Sequence, residues 1–164
     1  MAPACVSRRK RSGPEERMKN MSEPNKKYQI DTAENRKFLE EIRNDLLRFG
    51  HRFPSPGGSS YYLGDDGTPW TDRNRETWIT SRMVHVYCLG LFLGHPGSGE
   101  LADAGLKGLR GELHDTEHGG WYAGLTADGN IVHTKQCYAH AFVILAASSA
   151  LLAGRPGAKE LLDE

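Results

Sequence analysis

Residues 91–103, LFLGHPGSGELAD, and residues 151–163, LLAGRPGAKELLD, are one pattern written twice, 60 positions apart. Leu, Gly, Pro, Gly, Glu, Leu and Asp coincide. The offset extends backwards: Trp78 falls on Tyr138, Arg82 on Phe142, and SSYYLG (59–64) on GGWYAG (119–124). A fixed period of this length marks a repeat architecture, in which one unit cannot bury its apolar face without its neighbour. Each unit reads as a helix, a loop with a short aromatic strand, and a second helix. The fold expected is therefore all-α: helical hairpins side by side, able to close into a toroid of alternating inner and outer helices.

The local signals agree. Phe38, Ile42, Leu46 and Phe49 form an amphipathic stripe within residues 33–49, and Gly50 fits a helix stop. Long helices are predicted over 73–93, 99–114 and 135–153, with a further one opening in the final AKELLDE. A strand is predicted at 61–63 with a turn at Asp66-Gly67, and a hairpin within GGWYAGLTADGNIV that turns near Asp128-Gly129. Residues 76–94 and 136–154 are apolar on most sides and fit inner helices; 33–49 and 99–114 carry more charge and fit outer ones. Two and a bit units cannot close a ring, so the chain reads as the N-terminal part of a longer protein, truncated, with the C-terminal half of the barrel as its missing partner.

Formal net charge is zero over 164 residues, which does not advertise a nucleic-acid partner. The charge is uneven: residues 1–27 hold eight Lys or Arg against three Glu, about +5, and the rest is about −5. That segment has almost no large apolar residues and is expected to be a disordered basic extension ahead of a domain at 28–164. No apolar run is long enough for a membrane span, and no apolar stretch follows the basic start as a secretory signal needs. Cys5, Cys88 and Cys137 are odd in number and widely spaced, and no zinc spacing is present. They read as reduced thiols of a cytoplasmic protein, with Cys88 and Cys137 buried.

Within TWITSRMVHVYCLG, Trp78, Arg82, His85 and Leu89 share one stripe of a helix. An unpaired guanidinium is costly to bury, so Arg82 must meet a carboxylate, carbonyls or a polar cavity. Either it braces neighbouring helices through an ion pair, with Trp78 as core, or it faces a polar hub among the inner helices. His85 reads as a hydrogen-bonded core histidine. His140 points away from Tyr138 and reads as a brace. HDTEH places His114 and His118 four apart around Glu117, but the helix should end there, so a metal site is not expected. GSGELADAG follows no strand, so it is no phosphate loop.

WITSRMVHVYCLG, HGGWYAGLTADG and KQCYAHAFVILAASSALLAGRPGAKELLD resemble the N-acylglucosamine 2-epimerase family, most strongly its aldose–ketose isomerase branch of mannose and sulfoquinovose isomerases. The likeness covers about residues 33–164. It implies an (α/α)6 barrel, of which only the first two to three helical hairpins are present, with short β-hairpin loops. It also implies metal-free, cofactor-free chemistry on a monosaccharide: a histidine removes the proton beside the carbonyl, an enediol forms, and the proton returns at the neighbouring carbon or on the opposite face. The acid–base histidines belong to later inner helices, so no catalytic residue is expected here and the chain alone is expected to be inactive. The substrate-binding residues implied are Arg82, Tyr138 and Trp78. A 2-epimerase acting on an N-acylated or cellobiose-type sugar is the alternative, and a catalytically inactive fragment or helical interaction module is the reading from another class.

Overall fold

The computed structural model describes residues 25–164. The basic extension expected at 1–27 thus lies outside the described residues, except at its end. There Lys26–Tyr28 forms a 3-10 turn. Its order has local causes: the Asn25 side chain accepts from Lys27 N–H, Asn35 Nδ2 donates to Lys27 O, and Thr32 Oγ1 donates to Lys26 O. Thr32 Oγ1 also accepts from Asn35 N–H, an N-cap for the helix that begins at the next residue.

Two compact units are distinguished, one ending at Ile42 and one running from Arg43 to Glu164. Helix α1 (Ala33–Phe49) begins in the first and ends in the second. Of the amphipathic stripe, Phe38 is half-buried against Tyr28 and Lys27, while Ile42, Leu46 and Phe49 are exposed; the buried residue of the helix is Leu47.

In the second unit, strands β1 (Tyr62–Leu63) and β2 (Pro69–Trp70) pair antiparallel. The Asp66 carboxylate takes the Thr68 N–H to close their turn. Strand β3 (Arg75–Glu76) runs directly into α2 (Thr77–Phe92), and α3 (Ser98–Arg110) follows. Strands β4 (Gly124–Leu125) and β5 (Ile131–Val132) add to β3 in the order β3-β4-β5. The unit ends with α4 (Cys137–Leu152) and α5 (Ala158–Asp163). Helix α2 packs on both α3 and α4, and α4 packs on α5. So α2 and α4 are adjacent inner helices, and each is followed by the helix that backs it.

The period of 60 is exact in the backbone. Helices α2 and α4, and the starts of α3 and α5, are each 60 residues apart. Gly94 N–H bonds Leu91 O and His95 N–H bonds Gly90 O; Gly154 to Leu151 and Arg155 to Ala150 repeat both bonds. Gly97 and Gly157, with φ of 76° and 74°, make the left-handed step that starts α3 and α5. The helices are shorter than predicted for tertiary reasons. Residues 75–76 are taken by pairing with 124–125, and beyond Arg110 the chain curls into a His114–Trp121 bridge.

Phe53, Val84, Tyr87, Leu106, Leu109, Leu113, Trp121 and Val143 are the large members of one core that also takes in alanines of α4. Gly108 has a specific reason: a Cβ there would come within 2.5 Å of the Gly58 carbonyl carbon, so α3 can lie this close to the 55–60 loop only without a side chain. Tyr87 is fully buried, stacks on Phe53 and donates its hydroxyl to Leu47 O at 2.8 Å. Tyr87→Phe should lower stability by about 1–3 kcal/mol, because the Leu47 carbonyl is left buried without its donor. A urea titration of the variant, compared at equal slope with the parent, checks this.

Cys88 is buried as expected, and burial pushes its thiol up to about 11. Cys137 is not: it is exposed. Its counterpart Thr77 is covered because the β4 hairpin lies on it, with Thr77 Oγ1 donating to Tyr122 O and its N–H to Ala123 O. No described element lies on Cys137 in the same way. Among the described residues no helix is long and apolar enough to cross a membrane.

Candidate functional site

Four aromatic or cationic side chains meet where the first halves of α2 and α4 run side by side. Trp78 and Arg82 are one turn apart on α2, and Tyr138 and Phe142 are one turn apart on α4, at the same two repeat positions. Arg82 Nη2 donates to Tyr138 Oη at 3.0 Å. The guanidinium carbon sits 4.7 Å from the centre of the Trp78 ring and 4.4 Å from that of Phe142. Trp78 and Tyr138 meet edge to face at 5.8 Å, and Tyr138 and Phe142 at 4.9 Å.

The electrostatics follow from what is missing around the cation. Among the described residues no carboxylate lies within ion-pair distance of Arg82. Two ring quadrupoles and one hydroxyl hold it instead, each ring contributing about 0.5–1 kcal/mol at an exposed position. Of the five guanidinium N–H groups, one is engaged by Tyr138. Because Tyr138 accepts this bond, its own hydroxyl proton is free to donate. Arg82 is exposed and Tyr138 is 53% exposed, so both are open to a ligand. The arrangement can take an oxygen-rich ligand, with hydrogen bonds from the guanidinium edge and the phenol and an apolar flank from Trp78.

The structure therefore brings together all three residues read from the sequence. The ion-pair brace considered for Arg82 is not formed, and neither is an enclosed hub: two inner helices shut off no lumen. A hollow of about 540 Å³ lies along α3, lined by Asp103, Leu106, Lys107 and Arg110 with Pro156, and one of about 510 Å³ lies at the C-terminal end of α2 around the Arg155–Asp103 ion pair; neither includes Arg82. A small one of about 110 Å³ lies at the N-terminal ends, lined by Asn74, Glu76, Gly124 and Gln136 among others.

Two neighbours were not read from the sequence. Phe142 stands at Arg82's repeat position, a signal that was available. Tyr62 Oη donates to Glu76 Oε2, which fastens the β1 loop to the start of α2. Burial, then the Glu76 carboxylate, pushes the Tyr62 hydroxyl up to about 12, so it remains a donor. The two stand on strands of different sheets, β1 and β3, so no pattern in either segment pairs them.

His85, expected in the core, is hydrogen-bonded but only half-buried and outside it, whereas His140 is a brace. His85 Nδ1 lies 2.7 Å from Ser149 Oγ, whose own proton goes to Leu145 O, so the imidazole is the donor. His140 Nδ1 donates to Gln136 O, and its Nε2 accepts from Trp121 N–H, which braces α4 against the preceding loop. In HDTEH, the helix has ended before His114, which lies tilted against the Trp121 ring and pairs with Glu164; His118 is exposed. Among the described residues no group of three or more His, Cys, Asp or Glu is set to hold a metal.

The residue that matters in HDTEH is Asp115. Its buried carboxylate takes Lys135 Nζ at 2.7 Å and the N–H groups of Glu117 and His118 at 3.1 Å. The Lys135 ammonium, then these amides, hold the carboxyl well below the usual carboxylate range. A depressed native pKa contributes stability that is complete above the ordinary aspartate value of 3.8 and lost as pH falls from there through the native value. The melting temperature should drop between about pH 5 and 2, and Asp115→Asn should make that drop shallower while lowering the neutral-pH value. Thermal melts across that range test both statements.

Comparison with known proteins gives a family model described as N-acylglucosamine 2-epimerase, which matches residues 57–164. A D-mannose isomerase of Thermobifida fusca is 42% identical over 132 residues, 80% of this chain and 32% of its own. One of Pseudomonas cannabina pv. alisalensis is 44% identical over 102 residues, 62% and 24% of the two chains. A solved D-mannose isomerase superposes with a TM-score of 0.70 at 26% identity, over 87% of this chain and 35% of that one. For the cellobiose 2-epimerase of Spirochaeta thermophila DSM 6192 the TM-score is 0.63 at 23% identity, covering 80% and 36%, a likeness of fold. The chain thus spans about a quarter to a third of the length of these curated relatives, and its helices are part of an (α/α)6 barrel.

Proposed function

This chain belongs to the N-acylglucosamine 2-epimerase family, and from that premise we propose that it supplies the substrate-holding side of a sugar isomerase that interconverts an aldose and a ketose, of the mannose–fructose kind. Residues 28–164 are then the opening hairpins of the barrel domain. Arg82 and Tyr138 bind oxygens of the open-chain sugar, and Trp78 covers its C–H face. As the proton beside the carbonyl leaves, negative charge grows on the enediolate oxygen. A fixed cation with free N–H groups stabilises that charge more than it stabilises the neutral ground state. The proton itself is moved by histidines outside these 164 residues, so the chain alone is inactive and its partner is the remainder of the barrel.

The observation that carries this reading is the Arg82 guanidinium, held by Trp78, Phe142 and Tyr138 with no carboxylate among the described residues to neutralise it. Incubation of the full-length protein with mannose in D2O should give fructose carrying deuterium at C1. Deuterium at C2 of an epimerised N-acyl sugar or disaccharide, with no fructose from mannose, selects the 2-epimerase reading instead. No exchange with any of these sugars in a folded protein removes both.

A further inference from the structure

Phe142 touches the Arg82 guanidinium but has no part in the reaction as described so far, and its place is unusual for a helix phenylalanine. It is half-buried and stands outside the packed core, against Tyr138 and the Arg82 guanidinium. An exposed arginine has many rotamers open to it, so an unheld guanidinium would be spread over many positions. The common way to fix one is a carboxylate, but a carboxylate consumes N–H groups and cancels the charge. An aromatic ring does neither. It attracts the cation through its quadrupole at the flat face, and the N–H groups lie along the edge, where they stay free.

We propose that Phe142 is a positioning residue for the sugar reaction: with Trp78 it fixes the Arg82 guanidinium by ring contact, so that the cation is aimed yet not neutralised. This rests on the isomerase reading above. The division of labour follows from the elements. Trp78 is on the same helix as Arg82 and moves with it. Phe142 is on the next inner helix, so it alone of the two rings ties the guanidinium to α4, where Tyr138 also stands. The repeat explains the residue type: the position that carries a cation on α2 carries, on α4, the ring that receives it.

The test compares Phe142→Leu, which keeps the apolar bulk and removes the ring, with Phe142→Tyr, which keeps the ring. Two readouts are taken in the protein of the isomerase assay. One is the Arg82 Nε–Hε resonance, which ring currents from Trp78 and Phe142 should displace upfield in the parent protein. The other is the separation of kcat from KM. Phe142→Leu should return the resonance towards the position of an unrestrained arginine and lower kcat about tenfold, with KM changed less than about twofold. Phe142→Tyr should recover most of both. The proposal is overturned if the resonance does not move in Phe142→Leu, or if Phe142→Tyr is as impaired as Phe142→Leu, since then ring contact is not what matters. Should the parent protein turn over no sugar, the isomerase reading fails, while the resonance still decides whether Phe142 fixes Arg82.

Discussion

Replacing Arg82 with alanine should lower kcat by about 10²–10³-fold, the usual loss when one preorganised donor to a developing oxyanion is removed. The fold should hardly change, because the side chain is exposed and no ion pair depends on it. Arg82→Lys is the sharper comparison. It keeps the charge, and a lysine can still lie near the Trp78 ring, but it loses the planar fork that holds Tyr138 and a ligand oxygen at once. Its kcat should fall nearly as far as that of the alanine variant. Steady-state kinetics beside a thermal melt separate the outcomes. A melting temperature that drops while turnover survives would return Arg82 to the role of a helix brace and leave the site without its cation.

The architecture was legible in the sequence because the repeat is written into it: the same glycines, prolines and apolar positions recur after 60 residues, and the same backbone hydrogen bonds recur with them. Trp78 and Arg82 were legible as one helix stripe and the period places Tyr138 at Trp78's position, but their grouping as one site came from the family resemblance. What escaped depends on contacts between segments. The start of α2 is shortened by a strand that pairs with residues 124–125, far along the chain. Cys137 has a buried helix's sequence but not its cover. The Phe38–Phe49 stripe on α1 has the right period, and a period says which residues share a face without saying what covers it. Phe142 was overlooked because a phenylalanine in an apolar helix ordinarily packs in the core, and its ring contact with Arg82 arises only when α2 and α4 are side by side.

Trp121→Ala should cost about 3–5 kcal/mol, the largest loss of stability expected from one substitution in this chain. The indole is almost fully buried among the core residues and lies in the Gly-Gly-Trp-Tyr loop. It also joins three elements at once. Its Nε1–H donates to Leu109 O at 2.7 Å, near the end of α3. Its backbone N–H donates to His140 Nε2 on α4, and its ring meets His140 edge to face and His114 at a tilt. Removing the side chain therefore opens a cavity and orphans the Leu109 carbonyl, and the two losses should compound. Trp121→Phe separates them: it refills most of the cavity but leaves Leu109 O without its donor, so it should lose about 1–3 kcal/mol. The consequence reaches the site through α4. His140 is two residues from Tyr138, and the Trp121–His140 contact braces the first turn of the helix that presents the phenol to Arg82. Equilibrium unfolding gives the stability loss. The Arg82 Nε–Hε resonance in folded Trp121→Phe reports whether the first turn of α4 has shifted, and an unchanged resonance there would confine the role of Trp121 to the core.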